Sequence, residues 1–539
     1  MSFSIYTSCS INYLPKARAL AESLRRHQPD ARLTLCLNDV VPEWLNLENE
    51  PFDRIWLPED LGYDRSWIFQ HNVMELCTAV KGRALMKLLQ EEDSDLHLYL
   101  DPDVYLFHPL EPIKTYMQGK SIGLIPHILQ PEETDIGIRL TEMSVTEHGI
   151  YNLGHLIVRP DKNGRAFASW WANRLDRFCF DDRERGLFTD QRWIDLVPTI
   201  FDSVSILRVP NVDVASWNLF GRKIRQNQPG DATSFTVDDQ PLITYHFSGT
   251  GPTGTHRRIR EIFDAGNGAT AEIERIYEAA IGRHGQAGLG ERASGFDRFD
   301  DGTPISHQAR KLYRDHKDLQ KAFPDPFAES ASRLTYQRWL RMNRPSVING
   351  LCIEANRLNQ AFDDLFDQDY YLSAHPDAAA AIDAGRYASA IDHYSQVGSQ
   401  LFLDPNEFFV SSFYHDRACN YDRHLLRKNA GTKQGTLLWH YLVSGLLNGV
   451  EPIEFFDSNH YLTRNPDLLT AFRLGQISTP LAHFLKHGSR EGRDPGPDFN
   501  ASAYLERNPR ARDLADVKEI RGGFGAFVRL GGVAGRVVA

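Results

Sequence analysis

The stretch Leu98-Tyr99-Leu100-Asp101-Pro102-Asp103-Val104-Tyr105-Leu106-Phe107 sets two carboxylates one residue apart at the end of a run of strand formers. At a buried strand end, like charges a few ångströms apart repel, and desolvation adds to the cost. A hard divalent cation bridging protein oxygens to a diphosphate relieves both. Asp-Pro-Asp is also good turn chemistry, so the stretch alone leaves a plain strand-end turn open.

Around this stretch, strand-like and helix-like segments alternate over the first 285 residues. Phe3–Cys9 precedes an amphipathic run, Tyr13–His27; short strands follow at Arg32–Leu37 and Arg54–Leu57. A long helical pattern from Trp67 to Gln90 leads into the Asp101 strand. Further apolar strands are expected at Ser121–Pro126, Leu153–Val158, Val204–Val209 and Leu242–Phe247. This order predicts an α/β domain over residues 1–285, its sheet covered by helices on both faces, with ligands beyond the carboxyl ends of strands.

Residues 286–365 read as an all-α connector, punctuated by Gly, Asp and Pro, with helices at Gln308–Ala322 and Leu334–Asn343. Residues 366–539 repeat themselves. Tyr371-Leu372 with His375-Pro376-Asp377 recurs as Tyr461-Leu462 with Asn465-Pro466-Asp467, and as Tyr504-Leu505 with Asn508-Pro509. His393-Tyr394 with Gly398 recurs as His440-Tyr441 with Gly445, His483-Phe484 with Gly488, and Ala526-Phe527 with Gly531. The glycines stand 47, 43 and 43 residues apart, and Phe413-Tyr414-His415-Asp416 fills the remaining unit. Four α-helical repeats are expected, each burying an apolar face on its neighbour. Proline should open a helix in the Asn-Pro-Asp turns. The repeated histidines suit a core or capping role better than a metal, since Ala526 replaces the last of them.

The 539 residues carry a formal charge of −11 with no basic stripe, which disfavours nucleic-acid binding. No apolar run reaches bilayer length, and Met1 leads straight into a strand pattern without a basic leader. Six scattered cysteines, Cys9, Cys36, Cys77, Cys179, Cys352 and Cys419, lack metal-ligand spacing. They predict free thiols and a cytoplasmic protein, with peripheral association at the inner membrane face left open.

Three more segments bear on the carboxylate pair. Thr244-Tyr245-His246-Phe247-Ser248-Gly249 is a strand running into a glycine turn. Its imidazole and two carboxylates make a mixed N/O set that suits Mn²⁺, and Gly249 lets backbone approach a phosphate. In Thr189-Asp190-Gln191-Arg192, Thr189 is expected to cap a helix whose first turn carries Asp190 and Gln191 toward a cleft. Tyr151-Asn152-Leu153-Gly154 places a polar amide at the start of an apolar strand, where it needs partners.

Together these segments resemble the glycogenin-like retaining glycosyltransferases of the GT-A fold, over roughly the first half of the chain. The helical repeats resemble those appended to some bacterial glycosyltransferases. The resemblance implies that Asp101, Asp103 and His246 hold Mn²⁺ or Mg²⁺, and that Asp101 also meets the donor diphosphate. It implies that Asn152 and Asp190 touch the donor sugar and that Gln191 lies under the anomeric carbon; Asp190 and Gln191 are the catalytic candidates. Asn12-Tyr13 matches the family's Asn-Tyr, whose ring stacks on uracil. Tyr6, Thr7 and Gly249 complete the expected donor contacts.

The chain departs from the family in two places. Ser8-Cys9-Ser10-Ile11 lacks the usual acidic residue before Asn-Tyr, and Thr250-Gly251-Pro252 lacks the usual phosphate-binding lysine. Lys81, on the helix before the Asp101 strand, is the first candidate for that charge, with Arg83 and Arg257 as fallbacks. The implied activity is metal-dependent hexosyl transfer from a nucleotide sugar, UDP-linked for preference, to a carbohydrate, lipid-linked or protein acceptor. The repeats are expected to position a bulky acceptor, a partner or a second copy of the chain. A sugar-nucleotide pyrophosphorylase would need a Gly-rich basic loop after the first strand, and Thr7 to Leu14 holds no Gly, Lys or Arg. A repeat-based binding scaffold with a decayed transferase domain is the non-enzymatic rival.

Overall fold

The computed structural model describes residues 2–228, 235–249, 264, 267–330, 333–344, 347, 353, 357–418, 431–515 and 520–533. They form two compact units: Met1–Ile305 with Tyr313–Glu329, and Ser306–Leu312 with Ser330–Ala539. Residues 286–365, expected as a separate connector, are thus divided between the two.

The first unit is α/β, as its alternating pattern predicts. Strand β1 (Phe3–Cys9) leads to helix α1 (Leu14–His27), β2 (Arg32–Leu37) and β3 (Arg54–Trp56). Helices α2 (Arg65–Phe69), α3 (Val73–Ala79) and α4 (Lys81–Glu91) precede β4 (Leu96–Leu100) and β5 (Val104–Leu106). Then come α5 (Glu111–Tyr116), β6 (Ile122–Pro126), α6 (Asp135–Ile138), α7 (Ser144–His148), β7 (Tyr151–Val158) and α8 (Lys162–Phe178). A hairpin of β8 (Asp181–Asp182) and β9 (Leu187–Phe188) is followed by α9 (Gln191–Ile194) and β10 (Val204–Ile206). Strands β11 (Ile224–Gln226), β12 (Phe235–Val237) and β13 (Gln240–Pro241) form a small sheet before β14 (Thr244–His246).

The central seven-stranded sheet runs β10-β6-β7-β4-β1-β2-β3. Every pairing in it is parallel except those of β7, which runs against both β4 and β6. Strands β1 and β4 are buried on both faces, as a covered parallel sheet requires, and their polar residues Ser4, Thr7, Ser8 and His97 are buried with the apolar ones. The helical pattern over Trp67–Gln90 breaks into three pieces. Asn72 and Glu75 form a reciprocal cap: each side chain accepts the other's backbone N–H, at 2.9 Å in both directions, which starts a new helix at Val73.

The second unit is helical around one apolar core that runs from Ile353 to Val533. Pro376, Pro466 and Pro509 each occupy the first position of a helix, as expected from the Asn-Pro-Asp turns. The recurring sequence markers meet in space. Tyr371 Oη lies 2.8 Å from His393 Nδ1, Tyr414 Oη 2.7 Å from His440 Nδ1, and Tyr461 Oη 2.9 Å from His483 Nδ1. Each such tyrosine hydroxyl sits against Gly398, Gly445 or Gly488, where a Cβ would collide with it. Those glycines end five-residue π-turns at Tyr394–Gly398, Tyr441–Gly445 and Phe484–Gly488. The wider turn lets the backbone pass close to the ring, which explains why histidine, aromatic and glycine recur at fixed spacing.

Candidate active site

The Asp101-Pro102-Asp103 turn lies just beyond the carboxyl end of β4, and backbone pairing gathers the rest of the site around it. Asp101 N–H donates to the Gly154 carbonyl at 2.9 Å, extending the β4–β7 ladder and bringing Asn152 alongside. Strand β14 pairs antiparallel with β5, His246 opposite Val104, and Phe247 N–H donates to the Asp103 carbonyl at 2.8 Å. On its other edge, His246 N–H donates to the Val214 carbonyl at 2.8 Å, which sets Asp213 beside the imidazole. Gly154 is required for this approach, since a Cβ there would collide with the His246 ring.

His246 Nε2 lies 3.2 Å from Asp103 Oδ1 and 3.6 Å from Asp101 Oδ2. One donor atom from each residue fits within a 4.8 Å cluster. Adjacent ligand atoms on a hard octahedral cation lie about 3 Å apart. The His246 Nε2 distances to the two carboxylates are close to that spacing, and the mixed N/O chemistry of the set suits Mn²⁺. Burial disfavours the charged imidazole, but hydrogen bonds to Asp103 and Asp213 outweigh it and push His246 up to about 10. Burial likewise works against ionised Asp103, yet His246 and Lys16 pull its carboxyl down to about 2.

Lys81 opens α4 and is buried, 3% exposed. Its Nζ lies 2.9 Å from Asp190 Oδ2 and 3.3 Å from Asp101 Oδ1, and 4.0 Å above the Tyr99 ring. Tyr99 Oη donates to the same Asp101 oxygen at 2.6 Å. Burial opposes the ammonium, but Asp101 and Asp190 together hold its pKa above the usual lysine value. Burial pushes Asp190 up despite Lys81. Gln191 is pinned at both ends of its amide: Leu153 N–H donates to Oε1 at 3.1 Å, and Nε2 donates to the His148 carbonyl at 3.1 Å. Asn152 Oδ1 accepts from Gly154 N–H at 2.7 Å, which meets the need for a partner inferred from the sequence.

Two adjoining cavities flank this cluster. The first, about 470 Å³, is lined by Ser8, Tyr13, Cys77, Lys81, Asp103 and Asp190 among others. The second, about 340 Å³, is lined by His127, Ser144, His148, Asn152, Trp217 and His246 among others. Asp101, Phe188, Gln191 and Ser248 line both. Two further cavities of the first unit, about 500 and 540 Å³, contain none of the cation-binding or catalytic candidates, so chemistry rather than size marks the site.

Several expectations need correction. Tyr6 and Thr7 are fully buried behind the cleft, where Tyr6 Oη donates to the Lys81 carbonyl at 3.3 Å; Ser8, Cys9 and Ser10 line the cavity instead. Thr189 does not cap α9. It takes a left-handed backbone, φ 44°, its hydroxyl donates to Asp190 Oδ1 at 3.1 Å, and Asp190 itself occupies the cap position. Arg83 turns away to Asp176 and to the Leu61 and Gly62 carbonyls. Gly249 is exposed with φ 69°, the left-handed backbone a glycine supplies freely. Arg257, Thr250, Gly251, Pro252, Cys352 and Cys419 lie outside the described residues; Cys9, Cys36, Cys77 and Cys179 are free thiols.

Lys16 was missed from sequence. Its Nζ lies 3.9 Å from Asp103 Oδ2 and 3.7 Å over the Tyr13 ring, and the signal was its place three residues after Tyr13 on α1. Asp213 was missed because Val212-Asp213-Val214 reads as ordinary strand alternation. Among the described residues, no helix is long and apolar enough to cross a membrane.

No protein-family model matches the chain. It is 29% identical over 157 residues to the uncharacterized protein YfnF of Bacillus subtilis (strain 168), covering 29% of this chain and 48% of that one. It is 25% identical over 264 residues to the uncharacterized protein YfnD of the same organism, covering 46% and 78%. The chain thus spans about half of the first relative's length. Among solved structures it is similar to the galactosyltransferase LgtC in complex with donor and acceptor sugar analogs: 18% identity, TM-score 0.32, 52% of this chain and 95% of that one. It is also similar to the glycosyltransferase GlyE of Streptococcus pneumoniae TIGR4, at 14% identity and TM-score 0.30, covering 52% and 64%. Mouse xyloside xylosyltransferase 1 follows at 12% identity and TM-score 0.26, covering 46% and 97%.

Proposed function

We propose that this chain is a metal-dependent glycosyltransferase that moves a hexosyl group from a nucleotide-diphosphate sugar, UDP-linked for preference, to a carbohydrate, lipid-linked or protein acceptor. One observation carries the reading: Asp101, Asp103 and His246, drawn from distant parts of the sequence, converge within 4.8 Å at the junction of two cavities. In this reading Asp101, Asp103 and His246 hold Mn²⁺ or Mg²⁺, which when bound neutralises the developing charge on the leaving diphosphate.

The remaining residues bind and orient. Tyr13, Lys81 and Asp190 line the larger cavity and Asn152 the smaller, and all four are read as donor contacts; His148 also lines the smaller. Gln191 lies on the shared wall with its amide fixed by Leu153 and His148, so it meets the anomeric carbon in one orientation. Lys81 bridges Asp101 and Asp190 with its ammonium. Retention of configuration rests on the family resemblance. Residues 366–539 are read as four helical repeats that seat a bulky acceptor, a partner or a second copy of the chain, and the location as cytoplasmic.

A thermal-shift panel of nucleoside diphosphate sugars, each with and without Mn²⁺, tests this reading, because a ligand that binds the folded state raises its apparent stability. A UDP-sugar is expected to raise the midpoint in the presence of Mn²⁺ and to be hydrolysed slowly or transferred. No shift with any donor under either condition overturns the transferase reading and favours the binding scaffold.

A further inference from the structure

His246 can offer a cation only one ring nitrogen, so whatever holds the other nitrogen decides where the imidazole points. That partner is Asp213. Its carboxylate is completely buried, and Oδ1 lies 3.1 Å from His246 Nδ1 and 3.1 Å from His155 Nδ1. His155 Nε2 in turn lies 3.0 Å from Thr244 Oγ1, and that oxygen accepts Asp213's own backbone N–H at 2.8 Å.

When a cation takes the His246 Nε2 lone pair, the ring proton of His246 sits on Nδ1. Asp213 N–H donates to Thr244 Oγ1, which lies against His155 Nε2. His155 Nδ1 packs 3.1 Å from Asp213 Oδ1. His246 Nδ1–H donates to the same oxygen, which leaves the His246 Nε2 lone pair directed at Asp101 and Asp103. Asp213 sits in the left-handed region, φ 55°, and is held there by its neighbours. Asn218 Nδ2 donates to its carbonyl at 2.9 Å, and Val214 N–H donates to the Thr244 carbonyl at 3.1 Å. Backbone strain at a non-glycine residue persists only where the surroundings over-determine it.

We propose that Asp213, locked in place by His155 and Thr244, is the positioning residue that aims His246 Nε2 at the cation. The inference rests on the reading of Asp101, Asp103 and His246 as the cation's ligands. Asp213 acts through the imidazole, fixing its tautomer and its rotation about Cβ–Cγ, and touches neither cation nor substrate. A structural network of the same residues would alter only the folding equilibrium, whereas a positioning role alters how tightly the intact protein takes up Mn²⁺.

The test is titration of Mn²⁺ alone into the full chain, with free ion followed by electron paramagnetic resonance well below each variant's melting midpoint. Wild type is expected to bind one equivalent and Asp103→Ala to lose saturable binding. Asp213→Asn should bind about 10–100-fold more weakly and His155→Gln by a smaller factor. If Asp213→Asn does not melt cooperatively, His155→Gln, which leaves Asp213 in place, carries the test. The inference is overturned if Asp103→Ala loses the ion while Asp213→Asn and His155→Gln both keep affinities within twofold of wild type. Two equivalents in wild type also overturn it, because His155, Asp213 and His246 would then be ligands of a second ion. A wild type that binds no more Mn²⁺ than Asp103→Ala removes the ligand reading itself.

Discussion

Histidines of the same residue type do opposite work in the two units. His246 lies between Asp103 and Asp213, and its pKa is raised to about 10. His393 and His483 face tyrosine hydroxyls, and burial lowers their pKa. Both kinds sit at fixed sequence landmarks, one in Tyr-His-Phe, the others in His-Tyr or His-Phe. What separates them is the group around the ring: an anionic cage favours the charged imidazole, and a phenol makes a neutral strut.

The sharpest way to break that comparison is to delete one histidine of each kind. His246→Ala should lower Mn²⁺-dependent turnover by about 10³-fold or more, because it removes a cation ligand and the nearest cationic partner of Asp103. His483→Ala should leave kcat and KM unchanged and lower only the melting midpoint. Steady-state kinetics alongside thermal melting decides it, and equal losses of activity in the two variants would erase the distinction.

Carboxyls provide a second contrast. Asp103, next to His246, is pulled down to about 2, whereas Glu451 in the second unit is pushed up to about 7. The Glu451 shift comes first from burial and then from Asp457, only partly offset by hydrogen bonds from Ser458 and Tyr441. Its folded pKa is above the unfolded value, so the native state holds the proton more tightly. The cost of the ionised form is therefore full above pH about 7 and fades as pH falls toward 4.5, worth about 3 kcal/mol across the window. Glu451→Gln should flatten the decline in stability between pH 5 and 8, measured as urea unfolding of the full chain followed by helical circular dichroism. A pH profile identical to wild type would show that Glu451 titrates normally.

Much of this was legible in the sequence because the relevant signals are local. Asp101, Asp103, His246 and Asn152 stand at strand ends and Gln191 at a helix start, all in short motifs, and the Tyr, His and Gly of the second unit recur every 43–47 residues. The illegible parts depend on which strands pair. Asp213 joins the site because its segment lies along β14, and Val212-Asp213-Val214 carries no trace of that pairing. Lys81 is a candidate from its place before the Asp101 strand, but only the β4–β7 ladder brings Asp101 and Leu153 around it. The Trp67–Gln90 pattern breaks for a local reason, the reciprocal Asn72–Glu75 cap that starts a new helix at Val73.

The phenol strut itself can be broken in two steps. A Cβ at Gly488 would collide with Tyr461 Oη and lie 3.0 Å from Tyr461 Cζ and 3.2 Å from Phe484 Cδ2. Gly488→Ala should therefore destabilise the second unit by about 1–3 kcal/mol, the usual cost of overpacking a core. Tyr461→Phe removes the hydroxyl 2.9 Å from His483 Nδ1 and should cost about 1 kcal/mol. The double variant is the more informative, because the phenylalanine removes the atom that the new methyl strikes. Its loss should be smaller than the sum of the two single losses, a coupling of at least about 0.5 kcal/mol by urea unfolding. Strict additivity would mean that hydroxyl and glycine do not share a packing site, and the spacing of the repeats would then need a different physical cause.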